Sequence, residues 1–229
     1  MTFELPIFPL GVVLFPGMPL PLHIFEPRYR LMMARCLEDD RTFGVAQISE
    51  GTEGQSGTVP CRVGCSAQIL EVAPFADGRM NLQTLGMQRF EILELREHDE
   101  YLIGTCQWLE DEPMGDGIVR HAMSLRRALS RYFDALAKNT ELPAQLGEID
   151  VPQDPFALSM FVAAILSLPN TQKQTLLEMT STQARIEVEE FLLERGEIVQ
   201  RAFTQRNLQG RVLPTDEKME GYADFVFLN

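Results

Sequence analysis

The chain of 229 residues is long enough for one large domain or two small ones, and its apolar fraction of 45% and charged fraction of 23% are those of an ordinary soluble globular protein. Its net charge is −13, and lysine occurs only at Lys138, Lys173 and Lys218. That balance opposes binding to nucleic acid or an anionic membrane and favours cationic or apolar partners.

The opening "MTFELPIFPLGVVLFPGMPL" has no basic leader, and Pro6, Pro9, Pro16 and Pro19 interrupt its apolar run. Neither an export signal nor a bilayer span is expected from it. Cys36, Cys61, Cys65 and Cys106 therefore read as reduced thiols of a cytoplasmic protein.

A strand is expected at "PLPLHIF" (19–25), with Leu20, Leu22 and Ile24 on one face and Pro19, Pro21, His23 and Phe25 on the other. Pro19 and Pro21 remove two donors from the same edge, which predicts an edge or bulged strand. Glu26-Pro27 then starts a helix to about Glu38, with Leu31, Ala34 and Leu37 as its inward face. Arg28, Tyr29 and Arg30 occupy its first turn, where a cation opposes the helix dipole. A specific partner for Arg28 is expected there, either Glu26 or a buried carboxylate elsewhere. If Arg28 is paired in the joint between barrel and helix, Arg28→Ala should cost a few kcal/mol, because its loss leaves a buried carboxylate uncompensated.

Short strands follow. "TFGVAQIS" (42–49) precedes a low-complexity loop at 50–58, and "CRVGCSAQILEVAPF" and "RMNLQTLGMQRFEILEL" flank the hairpin signal Asp77-Gly78. "YLIGTCQWLE" (101–110) is the next strand. At "EDEPMGDG" (110–117) the period changes from two to that of a helix. Ile118, Ala122, Leu125, Leu129, Phe133 and Leu136 line one helical face. Asp154-Pro155 caps a segment apolar on nearly every side, the central helix of a bundle; Asn170 and Ser181 cap two further helices, the last running to about Gln205. The fold class is therefore α+β: a small barrel or sandwich at 1–112, a helical bundle at 118–210 and a tail at 211–229. The tail ends in "GYADFVFLN", apolar and strand-like, and reads either as a segment that docks on this chain or on a neighbouring copy in place of a client peptide, or as a simple structural strap on the barrel or bundle.

Catalytic chemistry is sparse. His23, His98 and His121 lie in different elements without ligand spacing. Cys61 and Cys65 on an extended strand would stand about 13 Å apart, too far for a disulfide or a tetrahedral zinc site unless Gly64 forms a bulge. Phosphate-binding glycine loops and nucleophile elbows are absent, and no lysine suits a desolvated base. No metal and no cofactor is expected.

Two blocks carry a resemblance. "LPIFPLGVVLFPGMPLPLHIFEPRYRLM", "GCSAQILEV" and "DGRMNLQTLGMQRFEI", followed in the helical half by "LPNTQKQTLLEMTSTQAR", closely resemble the N-terminal substrate-binding domain of Lon proteases (peptidase La) over residues 3–208. The resemblance implies a PUA-like β-barrel followed by a helical bundle. Full proteases of this kind continue into ATPase and Ser-Lys peptidase modules. This chain resembles a stand-alone domain, so no catalytic residue carries over. The implied function is non-catalytic binding of unfolded or degron-bearing polypeptides, as an adaptor to an ATP-dependent protease, with self-association as a further partner mode. An RNA-binding PUA-like protein is the alternative, opposed by the charge; an enzyme of unknown chemistry is a third. The expected contact surface is a groove between barrel and bundle, with Pro21, His23, Phe25, Arg28, Tyr29 and Arg89 as substrate-binding candidates and the incomplete strand edge open to β-augmentation. Purified protein is expected neither to hydrolyse ATP nor to degrade casein; activity that co-purifies with this polypeptide through successive columns would overturn that expectation.

Overall fold

The computed structural model describes residues 1–51, 57–98, 100–137 and 150–208. The apolar tail at 211–229 and the middle of the loop at 50–58 lie outside them.

The described elements run β1 (Thr2–Leu10), β2 (Pro19–Ile24), α1 (Pro27–Glu38), β3 (Thr42–Glu50), β4 (Val59–Pro60), β5 (Val63–Pro74), β6 (Met80–His98), β7 (Tyr101–Trp108), α2 (Ile118–Ala137), α3 (Pro155–Ile165), α4 (Asn170–Glu178) and α5 (Thr182–Leu208). The chain forms two compact units, Met1–Glu112 with Leu168–Thr180, and Pro113–Ser167 with the chain from Ser181. Sequence reading placed every helix beyond residue 118 in one bundle. The structure instead places α4 with the sheet, where Gln174 Nε2 donates to the Val63 carbonyl at 3.0 Å and Leu176 and Leu177 are buried.

In the first unit the seven strands form one mostly antiparallel sheet in the order β1-β7-β6-β5-β3-β4. β1 also pairs in parallel with β3, so the hydrogen-bonded path from β1 through β7, β6, β5 and β3 returns to its start. One face of this circuit gathers Leu5, Ile7, Ala46, Phe90, Ile92 and Cys106. The space is so tight that neighbouring strands must carry glycine. A Cβ at Gly44 would stand 2.7 Å from Phe90 Cζ, and one at Gly64 2.4 Å from the Val45 carbonyl oxygen. Gly64 is thus required by close packing and not by a bulge; the register shift nearby falls between Cys65 and Ala67.

On the other side α1 covers a second cluster that includes Phe8, Phe43, Val45, Ile69 and Leu82. The face that α1 buries is Tyr29, Met32, Met33 and Cys36. The expected face of Leu31, Ala34 and Leu37 is overturned: Leu31 and Ala34 are exposed and Leu37 is half-buried. Both sets satisfy a helical period, and burial goes to the one with two methionines and a tyrosine, which remove more apolar area from water. The hairpin at Asp77-Gly78 forms as its residue types require, with Gly78 at φ +84° and Asp77 Oδ1 accepting from the Arg79 amide at 3.0 Å.

The second unit contains α2, α3 and α5, with α2 and α3 each packed on α5. Asp154 caps α3 by accepting from the Ala157 amide at 2.8 Å, and Ser181 caps α5 through the Ala184 amide at 3.3 Å. Asn170, expected as a cap, is instead the first residue of α4, and its side-chain amide donates to the Gly11 carbonyl.

A buried polar chain joins α3 to α5. Arg185 Nε donates to Ser159 Oγ at 2.8 Å, and that hydroxyl donates to Glu189 Oε1 at 2.9 Å. Arg185 Nη2 donates to Thr182 Oγ1 at 3.1 Å. Burial pushes the Glu189 carboxyl well above its ordinary range, opposed by the Ser159 hydrogen bond and the Arg185 charge, with Glu190 adding to the rise. Its second oxygen, Oε2, is buried without a hydrogen-bond partner among the described residues. The folded state therefore holds this proton more tightly than the unfolded chain. The stabilisation from Glu189 is full below its unfolded value near 4.5 and is lost as pH rises through the folded value. Glu189→Gln removes that titration. Thermal melts of the two proteins should show the variant gaining stability relative to the parent between pH 5 and pH 8; a difference that does not change with pH would contradict this account.

Candidate functional site

β2 is the edge strand that its prolines require. Among the described strands it pairs only with β6, from Pro19 opposite Leu85 to Ile24 opposite Met80. Leu20 and Ile24 are buried and Leu22 is half-buried, while Pro19, Pro21 and His23 are exposed. The strand's polarity follows from its first bonds. The Met18 carbonyl accepts from the Gly86 amide of β6 at 2.9 Å, and the Leu20 carbonyl accepts from Thr84 Oγ1 at 2.7 Å. Alternation then turns the backbone groups of Leu20, Leu22 and Ile24 toward β6 and those of Pro19, Pro21 and His23 outward.

Past the end of β2 lies an exposed aromatic cluster. The His23 ring stands 6.0 Å from that of Phe25 and 5.9 Å, edge-on, from that of Phe75. Phe25 is 59% exposed and Phe75 44%, although both are large apolar rings that folding would ordinarily cover. His23 Nδ1 and Asn81 Oδ1, 2.6 Å apart, form a hydrogen bond across the β2–β6 pair, which fixes the imidazole between the phenyl rings. The Arg79 guanidinium lies 5.7 Å from the Phe75 ring centre and is held by Asp77 at 2.6 Å. Phe75 and Asn81 were not singled out from sequence. The signal available was the Asp77-Gly78 hairpin, whose register sets Phe75 beside the end of β2.

The remaining candidates have other surroundings. Arg28 pairs with Glu26, Nε donating to Oε2 at 3.0 Å, and its guanidinium lies 4.6 Å from the Tyr29 ring centre. Of the two partners considered for Arg28, the structure places Glu26 beside it, and both side chains keep about a quarter of their exposure, 22% and 25%. Tyr29 is buried in the core against Phe8, with ring centres 4.1 Å apart. Arg28 and Tyr29 line a cleft of ≈ 320 Å³ that also contains Pro9, Glu97, Glu100 and Tyr101.

Arg89 is not available to a substrate. Its side chain is 1% exposed; Nη1 donates to the carbonyls of Leu177 at 2.5 Å and Met179 at 2.7 Å, and Nη2 bonds Asp111 Oδ2 at 2.8 Å. It neutralises the C-terminal carbonyls of α4, where a helix carries partial negative charge. The carbonyl cluster that receives it lies nearly ninety residues downstream and was invisible from the strand alone.

The thiols are ill suited to nucleophilic work. Burial pushes Cys36, Cys65 and Cys106 up to about 12, with Asp40 and Asp39 adding to the rise at Cys36, so each is a protonated, apolar filler at neutral pH. Lys173 departs from expectation. It is 5% exposed, and burial lowers its ammonium below the ordinary lysine value, so one lysine is desolvated after all. Among the described residues, no three of His, Cys, Asp or Glu gather as a metal site, and no helix is long and apolar enough to cross a membrane.

With this geometry in place, comparison with known proteins is informative. The sequence pattern of the ATP-dependent protease La (LON) substrate-binding domain matches residues 4–195. Lon protease 1 of Hydrogenovibrio crunogenus is 31% identical over 194 residues, 82% of this chain and 23% of that protein. Lon protease of Escherichia coli is 28% identical over 187 residues, covering 80% and 24% respectively. The chain thus spans about a quarter of the length of the curated relatives it matches. Among solved structures, the Lon N-terminal domain protein from Xanthomonas campestris is similar with a TM-score of 0.59 and 25% identity, covering 81% of this chain and 95% of that one. The N-terminal domain of Mycobacterium avium complex Lon protease matches in fold, with a TM-score of 0.63 at 18% identity and coverage of 84% and 98%.

The two arginines should separate in a denaturant titration. Arg89→Met strands Asp111 and two helix-end carbonyls, and is expected to cost about 3–5 kcal/mol. Arg28→Ala breaks a partly exposed pair and is expected to cost about 1 kcal/mol or less, in place of the larger loss a fully buried partner would bring. Equal losses would refute the assignment.

Proposed function

The chain belongs to the family of ATP-dependent protease La (LON) substrate-binding domains, and we propose that it binds unfolded or degron-bearing polypeptides through the exposed end of β2, without catalysing a reaction on them. The observation that carries this reading is the His23–Phe25–Phe75 cluster beside a strand edge that no described strand covers. Large exposed rings next to unpaired backbone acceptors are the two ingredients of peptide capture by strand addition: backbone bonds give affinity, and pockets for alternate side chains give selectivity.

On this reading the circuit of β1, β7, β6, β5 and β3 is the PUA-like barrel that the family resemblance implies, and Pro21, His23 and Phe25 contact the client. Arg28 and Tyr29 act through the cleft they line, whose mixed charges and aromatic walls suit a polar side chain of the client. Adaptor service to an ATP-dependent protease in the cytoplasm is the biological role that fits a module of this family. The acidic balance of the chain favours basic or apolar client segments. The RNA-binding alternative draws no support from the relatives.

Replacing Phe25 and Phe75 together with serine tests the reading. A permanently unfolded probe, reduced and carboxymethylated α-lactalbumin, should bind the parent protein and bind the double variant at least about tenfold more weakly, equivalent to roughly 1.4 kcal/mol. Because both rings are already exposed, the melting temperature should barely change. Unaltered affinity would remove the cluster from the binding surface.

A further inference from the structure

The outer edge of β2 has an unequal supply of hydrogen-bonding groups. Pro19, Pro21 and His23 turn their backbones outward, as the Met18 and Leu20 carbonyl bonds to β6 establish. That edge therefore presents the carbonyls of all three residues but only one N–H, that of His23, because proline has none. Among the described residues no strand covers it. We propose that this edge takes one extended, proline-free polypeptide segment by a one-sided ladder, in which alternate residues of the segment donate and β2 accepts. The proposal deepens the polypeptide-binding reading above and rests on it.

The chemistry excludes two other occupants. A second copy's β2 brings the same carbonyl-rich edge, so two such edges would meet with nearly all acceptors and almost no donors. Proline-rich segments fail in the same way, having lost the N–H groups that β2 needs. A proline-free strand meets the demand. Pro19 to His23 spans about 13 Å at ~3.3 Å per residue, enough for a segment of about five to seven residues.

Side chains set the rest of the preference. On the exposed face an added strand would lie beside Pro19, Pro21 and His23, all exposed, and its end would reach Phe25 and Phe75. Cross-strand neighbours of that kind reward aromatic or β-branched residues. The net charge of −13 adds a preference for basic flanks. The class of ligand is thus an extended apolar segment with basic ends and an uninterrupted row of N–H groups.

A designed peptide tests this directly. The probe is a capped nonapeptide of alternating phenylalanine and threonine with a lysine at each end, together with two versions N-methylated at alternate residues in opposite phases. Fluorescence anisotropy with the full chain should show that one phase of methylation weakens binding at least tenfold while the other is tolerated. Pro21→Ala restores an outward N–H and should tighten the unmethylated peptide several-fold; a circular dichroism melt verifies that the variant is folded. Two phases that bind alike, or a Pro21→Ala variant that is folded yet no tighter, would overturn the one-sided ladder. If the unfolded α-lactalbumin probe binds and the peptide does not, the ladder is wrong and the polypeptide-binding reading stands. If neither binds, both fail.

Discussion

A single buried guanidinium organises the sheet unit. Arg89 sits on β6 in the apolar interior, where an unpaired charge would be untenable, and it is kept there by Asp111 and by the two carbonyls at the end of α4. Cation and partners come from three separate parts of the chain. The sheet supplies the cation, the segment after β7 supplies the carboxylate, and a helix nearly ninety residues downstream supplies the acceptors. Removing any one leaves another buried polar group without a partner. This requirement explains why α4 belongs to the sheet although the chain on either side of it belongs to the helical unit.

β2 illustrates a different constraint. An exposed strand edge invites indiscriminate pairing, and proline is a common way to blunt it. Here the blunting is incomplete. Carbonyls remain, and the ring cluster beyond the strand end adds apolar surface that blunting alone would not call for. On the reading proposed above, the edge would resist its own copy while accepting a donor-rich strand.

Most of the architecture was readable from local chemistry. Proline at the first helical position, the Asp77-Gly78 turn and the Asp154-Pro155 cap act through a few neighbouring residues, and α1, the β5–β6 hairpin and α3 form where those signals stand. Long-range choices were less legible. The period of α1 permits two inward faces, and Met32 and Met33 are buried in place of Leu31 and Ala34 because with Tyr29 they remove more apolar area from water. Lys173 and Arg89 look like surface charges in any local window; their burial is decided by segments far away in sequence. Pro21, His23 and Phe25 were visible as one face of a strand, whereas Phe75 joins them only through the register of β6 with its neighbours on both sides.

On the proposed reading, stability and recognition rest on separate residues in this unit. Arg89, Phe90 and the glycines packed near Phe90 are buried and mutually dependent, so selection on them acts through folding. Phe25 and Phe75 contribute little to the core, since more than two fifths of each ring's residue stays in water. Substitutions there would, on that reading, change which polypeptide is held without disturbing the sheet. β2 itself combines the two tasks: its inner face anchors it through Leu20 and Ile24, and no described strand covers its outer edge. Alternation along a strand makes that division of labour possible: each residue is committed to one side, so the inner and outer sequences can vary independently.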